Sequence, residues 1–201
     1  MESTNDAGMR HKILQTAAAL FTAHGYDGVS MRELSEACGL SKPGLYYYYT
    51  DKETLFLAVL EDHLSELSAL LDRLEAQAGS AREKIAAFIH AVLVEFPAEQ
   101  RAVTRLASQE LGKLSEANRL AFNHQYEARF TGRLAGLIAA GKSSGEFRPL
   151  DAQMSVWALL GLMYPFFNVR FPMKGMDSAA AAQLVEAVFF NGISAGDGAV
   201  G

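Results

Sequence analysis

The stretch from Ser30 to Lys52, SMRELSEACGLSKPGLYYYYTDK, holds the residue types best suited to gripping a polyanion. Lys42 carries an ammonium. Tyr46, Tyr47 and Tyr48 carry hydroxyls that can donate to phosphate oxygens without adding charge. Pro43 and Gly44 are small, which permits close approach and apolar contact with a thymine methyl. Lys52 stands where a following helix begins, and free N–H groups at a helix start also favour an anion. The four tyrosines Tyr46 to Tyr49 cannot all be buried on so short a segment, yet helical spacing requires one or two of them to pack inward. Taken alone, Lys42 and Lys52 read as solvated surface lysines.

To present these groups, the chain needs short helices meeting at a fixed angle. Ser30 followed by Glu33 is a capping box, in which the serine oxygen takes one free N–H and the glutamate returns to the serine's own N–H. Leu34 and Cys38 face inward one turn apart, Gly39 stops the helix, and Leu40 packs the turn. Ser41 caps a third helix with Pro43 in its first turn, where proline is tolerated. Two short helices around Gly39-Leu40-Ser41 make a helix-turn-helix, its angle locked by Leu34, Cys38, Leu40 and Leu45. Upstream, a helix is predicted from about Gly8 to His24, with Ile13, Ala17, Leu20 and Phe21 as one stripe and Gly25 as its C-cap. Downstream, Thr50 and Glu53 read as a second capping box. It opens a long helix carrying Leu55, Phe56, Val59, Leu60, His63, Leu64, Leu67, Leu70, Leu71 and Leu74, reaching Gln77 over ~40 Å.

Gly79 breaks the pattern. Further helices are predicted over Ala81–Phe96, Glu99–Leu114, Ser115–Ala140, Asp151–Arg170 and Asp177–Gly192. Gly141, Lys142–Gly145 and Phe171-Pro172 are the breaks, and Pro165 should kink its helix or end it early. No strand-like alternation or internal repeat occurs, so the fold class is all-α. Trp157, Leu159, Leu160, Leu162, Met163, Tyr164, Phe166 and Phe167 cover nearly all sides of one helix, and Leu184, Val185, Val188, Phe189 and Phe190 continue the theme. A terminal helix pair this apolar calls for a second subunit to cover it.

Composition bounds the function classes. The 201 residues are 50% hydrophobic and 20% charged, an ordinary globular balance. One cysteine excludes an intramolecular disulfide and fits a reducing, cytoplasmic setting, with Cys38 a small core residue. Met1 to Arg10 is polar, without the apolar core of a signal peptide. Ala152 to Val169 is uncharged but contains Gln153, Ser155, Asn168 and Pro165 and barely reaches the roughly 18 residues of a span. It reads as a buried helix, with no membrane partner. His11, His24, His63, His90 and His124 are scattered, and His63 with Glu66 is one pair, so no metal site is expected. No cofactor fingerprint is present, and Ser35 to Gly39 is not a nucleophile elbow because no strand precedes it. With no paired acid and base, the chain is not read as an enzyme. The net charge of −5 runs against a polyanion partner, as do five basic and seven acidic residues among the first 55, so binding would rest on local placement of charge.

The run ILQTAAALFTAHGYDGVSMRELSEACGLSKPGLYYYYTDKETLF, within Ile13 to Leu60, closely resembles the DNA-binding domain of the tetracycline-repressor (TetR) family. Its marks are Ala-Leu-Phe followed by Gly-Tyr, the Gly-Leu-Ser turn, and Leu45-Tyr46-Tyr47 before Lys52-Glu53-x-Leu55. A weaker match, Gly145-Glu-Phe-Arg-Pro before Trp157, is what such regulators often carry ahead of their dimer helices. The resemblance implies a three-helix helix-turn-helix domain over 9–69. The long fourth helix would join it to a ligand-binding and dimerisation domain over 70–201. Arg32, Lys42, Pro43, Gly44 and Tyr46 or Tyr47 would face bases or nearby backbone, with Ser41 in the same set. Ser30, Tyr47, Tyr48 and Lys52 would hold phosphates, and Tyr49 would be core. The histidine often found at the position of Tyr48 is absent.

The resemblance also implies a homodimer on a palindromic double-stranded operator, acting as a repressor released by a small molecule. A mostly apolar pocket among the middle helices would draw its few polar or aromatic groups from His90, Arg105, Gln109, His124, Tyr126, Trp157 and Tyr164. The effector implied is small and apolar or aromatic. For each of these seven residues taken singly, an ordinary core or surface role competes. The alternative to the regulator is a helical ligand-binding or protein-interaction module without DNA binding, supported by the acidic N-terminal region.

Overall fold

A computed structural model of the protein describes residues 4–167 and 176–193. The predicted break at Phe171-Pro172, and residues 168–170 of the helix predicted over Asp151–Arg170, lie outside the described residues. Ten α-helices are described: α1 Thr4–His24, α2 Met31–Cys38, α3 Lys42–Tyr48, α4 Lys52–Ala76, α5 Ala81–His90, α6 Ala98–Glu110, α7 Glu116–Tyr126, α8 Gly132–Ser143, α9 Ala152–Met163 and α10 Ser178–Ile193. No described helix is long and apolar enough to cross a membrane.

The helices form two compact units. The first contains the residues up to Ser65 together with Ala102–Asn123. Its core is built from Ile13, Ala17 and Phe21 of α1, Leu34 and Cys38 of α2, Leu45 of α3, and Leu55, Phe56, Val59 and Leu60 of α4. The Phe21 and Phe56 rings meet edge-on at 5.1 Å, and Tyr26 joins Phe56 at 5.0 Å. Later chain also belongs here. Glu53 on α4 accepts the Ser115 N–H and the Asn118 side-chain amide, each at 2.8 Å. Lys113 donates to Asp27. His63, buried, meets Thr104 Oγ1 at 2.7 Å.

The second unit contains Glu66–Arg101 and the residues from His124 onward. There α8 packs against α5 and α9, and α10 packs against α5 and α9. Arg133 of α8 grips α4 through Asp72 and Glu75, each at 2.7 Å, and through the Ser68 carbonyl at 3.2 Å. The Gly-Glu-Phe-Arg-Pro segment works as a fastener. Glu146 accepts the Arg82 N–H at the start of α5 at 3.1 Å, Phe147 is buried and stacks on Phe190, and the Arg148 N–H closes the end of α10 on Ile193 at 2.7 Å.

Three local expectations are revised. The first helix starts at Thr4, one turn before Gly8, and Asp6 in its first turn suits the helix dipole. Thr50 and Glu53 form no capping box. The long helix begins at Lys52, so Asp51 is its cap and accepts the Thr54 N–H at 2.7 Å, leaving Glu53 out of register for the return bond. Two of the predicted continuous helices contain π-helical turns, Ala91–Glu95 and Glu127–Thr131. Pro165 acts as predicted: α9 ends at Met163 and the chain continues as a 3₁₀ turn, Tyr164–Phe167.

Candidate nucleic-acid interface

The capping chemistry of α2 and α3 is realised atom by atom. Ser30 Oγ accepts the Glu33 N–H at 3.2 Å, and Glu33 Oε2 accepts the Ser30 N–H at 2.8 Å. Gly39 ends α2 at φ 71°, where a Cβ would be strained, and its N–H returns to the Glu36 carbonyl at 3.0 Å. Ser41 Oγ then accepts the Gly44 N–H at 3.2 Å, with Pro43 in the first turn of α3. Leu34, Cys38 and Leu45 are buried at the angle between the two helices. Burial pushes the Cys38 thiol above its ordinary pKa, as suits a core residue and not a nucleophile.

This geometry sorts the tyrosines. Tyr49 is buried and Tyr48 is half-buried. Tyr46 is 40% exposed and Tyr47 is 76% exposed, so these two are the tyrosines presented outward. Lys42, Pro43 and Ser41 are exposed beside them, and Gly44 is half-buried. The Lys42 ammonium lies 5.9 Å from the Tyr46 ring centroid. Arg32 is exposed and held loosely by Glu36 at 3.9 Å. Ser30, Arg32, Lys42, Tyr46 and Lys52 line one groove of about 510 Å³, shared with Asp27 and Glu33. Lys52 is more constrained than its sequence position suggests. Its ammonium donates to the Tyr26 carbonyl at 2.9 Å and lies 4.2 Å from the Tyr26 ring centroid. Tyr26 was not a candidate, and nothing in its spacing marks it as the partner of a lysine 26 residues away.

Internal partners hold several of the acids that stood against a polyanion and keep them ionised, and Lys113 offsets the charge of Asp27. Lys113 holds the Asp27 carboxyl below its usual pKa, Ser30 does so for Glu33, and the Thr54 N–H for Asp51. Ser115 and then Asn118 do so for Glu53. Four of the seven acids among the first 55 residues are thereby spent on caps and ties. Lys42, Tyr46 and Tyr47 of α3 face solvent.

The seven ligand-pocket candidates divide between the two units. Arg105 and Gln109 lie one turn apart on α6 in the first unit and hydrogen-bond at 3.1 Å, with Arg105 also reaching the Thr22 carbonyl. His90 is exposed and pairs with Glu95 at 3.2 Å, and His124 is exposed. Trp157 and Tyr164 are 51% and 37% exposed. Tyr126 differs. Its ring meets Phe130 edge-on at 5.2 Å, Phe130 lies 5.8 Å from Phe88, and desolvation holds its hydroxyl pKa well above the ordinary value. The all-round apolar helix is not buried on all sides by its own chain. Met154 of α9 and Val188 of α10 are exposed and line a groove of about 370 Å³, and Trp157 and Leu184 are exposed as well.

Two family models match. Residues 13–59 fit the model of bacterial regulatory proteins, tetR family, and residues 78–165 fit a tetracycline-repressor-like C-terminal domain. The transcriptional repressor AcnR of Corynebacterium glutamicum is 36% identical over 62 residues, 31% of this chain and 33% of that protein. The chain thus spans about a third of that relative's length. The transcriptional repressor KstR2 of Rhodococcus jostii is 23% identical over 155 residues, covering 77% of this chain and 76% of that protein. Among solved structures, the regulator PfmR of Thermus thermophilus superposes with a TM-score of 0.76 at 26% identity, over 89% of this chain and 97% of that one. AibR, solved with isovaleryl coenzyme A and operator DNA, superposes at 0.76 with 22% identity, over 90% of this chain and 98% of that one.

Proposed function

The chain belongs to the tetR family of bacterial regulatory proteins, DNA-binding transcriptional regulators, and from that premise we propose that it is a cytoplasmic homodimeric repressor released from a palindromic operator by a small effector. The observation that carries this reading is α3. A seven-residue helix is capped by Ser41 and packed against α2, buries Leu45, and turns Lys42, Pro43, Tyr46 and Tyr47 outward. Lys42 and Tyr47 would hold phosphate oxygens, while Pro43, Gly44 and Tyr46 would lie against base edges. Ser30, Arg32 and Ser41 would contact the flanking backbone. Lys52 would contribute mainly by fixing Tyr26, because its ammonium is already engaged.

Two copies related by a two-fold axis would place two recognition helices on a palindrome. The exposed apolar residues of α9 and α10 support that pairing. The effector would bind in the second unit, and the desolvated Tyr126 beside Phe130 and Phe88 favours an apolar or aromatic molecule. Release would follow from its higher affinity for a conformation in which the recognition helices are wrongly spaced.

The test is selection of genomic fragments by purified protein, then footprinting of the best fragment at physiological salt. A protected palindrome is expected. Lys42→Ala and Tyr47→Ala should each weaken binding about tenfold or more, and Lys42→Ala should reduce the salt slope by about one. A folded protein with negligible, salt-insensitive affinity for every duplex would favour an interaction module instead.

A further inference from the structure

The groove beside α3 has walls of mixed charge. Arg32, Lys42 and Lys52 line it together with Asp27 and Glu33. Glu33 is committed to the capping box of α2. Asp27 lies on the exposed loop between α1 and α2, and a carboxylate there repels any phosphate entering the groove. Its partner comes from outside the helix-turn-helix. The 3₁₀ turn Leu111–Lys113 follows α6, in the stretch that matches the C-terminal domain model, yet it belongs to the first unit. There the Lys113 ammonium donates to Asp27 Oδ2 and pairs with it. Just past this turn, the Ser115 N–H and the Asn118 amide are both bonded to Glu53, at the head of α4. The backbone on which Lys113 stands is therefore fixed, and the lysine is aimed at the loop by that anchor as well as by charge.

We infer that Lys113 is an electrostatic component of the DNA interface: it cancels the charge of Asp27 at the groove wall, so part of the affinity for DNA is encoded outside the helix-turn-helix. Both side chains are exposed, so the pair itself adds little to stability. What it changes is the field that a phosphate meets, which acts over about 10 Å at 0.1 M salt. Lys113 works through Asp27 without touching phosphate, and its effect is blind to base sequence. The inference rests on the DNA-binding reading above and adds a residue that tunes the strength of binding.

The test uses the full chain, a duplex that the wild-type protein itself selects from a random pool, and a scrambled duplex as reference, at low and at high salt. Lys113→Gln leaves Asp27 uncompensated and should weaken binding to both duplexes about twofold to fivefold at low salt, the scale of one exposed charge. The gap should close as salt rises. Asp27→Asn should tighten binding by a similar factor, and the double variant should return to the wild-type value. Lys113→Arg, which keeps the charge, should bind as the wild type does. A pair that served only to hold the loop in place predicts a different order: either single variant weaker than the wild type, with no recovery in the double one. Unchanged binding by Lys113→Gln at low salt, weaker binding by Asp27→Asn, a double variant as weak as Lys113→Gln, or a loss confined to the selected duplex would overturn the inference. A folded wild-type protein that selects no duplex would sink the DNA-binding reading itself, and this inference with it.

Discussion

Asp51 and Glu53 sit two residues apart at the head of α4 and do different work. Asp51 caps its own helix, while Glu53 leaves the helix to bind Ser115 and Asn118. Both carboxyls are held below their ordinary pKa in the folded state. A depressed folded pKa means that the stabilisation is fully present above the unfolded value, about 4, and disappears as pH falls through the folded value. Melting temperature should therefore be level around neutrality and fall on acidification below pH ~4. Asp51→Asn with Glu53→Gln should flatten that fall, as measured by circular dichroism melts across pH. An equally steep acid transition in the double variant would place the sensitive groups elsewhere. The sequence reading puts the cap at Thr50, one residue early, because Thr50 and Asp51 are both good caps and the first turn alone does not choose between them.

At the scale of elements, amphipathic periodicity located nearly every helix, since burial of one face is what stabilises it. All ten residues named for the inner stripe of the long helix, from Leu55 to Leu74, are buried. The π-helical turns at Ala91–Glu95 and Glu127–Thr131 left no such trace, because one extra residue in a turn alters the apolar period too little to read. Gly141 shows what periodicity misses. The sequence marks it as a break, yet it lies inside α8, where a Cβ would come within 2.4 Å of the Phe147 ring and 2.9 Å of the Ala81 Cβ. Glycine is needed there for close approach, not for a turn. Gly141→Ala should cost about 1–3 kcal/mol by overpacking and lower Tm by several degrees in calorimetry. An unchanged Tm would mean that Phe147 moves aside freely.

At the scale of the whole molecule, the exposed apolar residues of α9 and α10 bear on assembly. Trp157 and Met154 are more than half exposed, an arrangement more consistent with an interface than with a free surface. Sedimentation should give twice the chain mass for the wild type and a single-chain mass for Trp157→Glu with Val188→Asp. The same variant should lose affinity for a two-half-site duplex far more than for a single half-site. A monomeric wild type that binds a palindrome at full strength would refute the paired arrangement.

By itself, the sequence determined the all-α class, the helix-turn-helix and its caps, and which faces are apolar. Those features are set by side chains a few residues apart, where spacing dictates geometry. Only the tertiary structure decided which groups are free to act. It joined Asp27 to Lys113 and Glu53 to Asn118, so that these acids also serve as internal ties while remaining charged. It turned Lys52 onto Tyr26 and the Arg10 guanidinium toward the Tyr48 ring, leaving Tyr47 and Lys42 outward. It also scattered the expected pocket residues over both units. These outcomes depend on contacts between residues distant in the chain, and local spacing carries no information about which distant partner a polar side chain will meet.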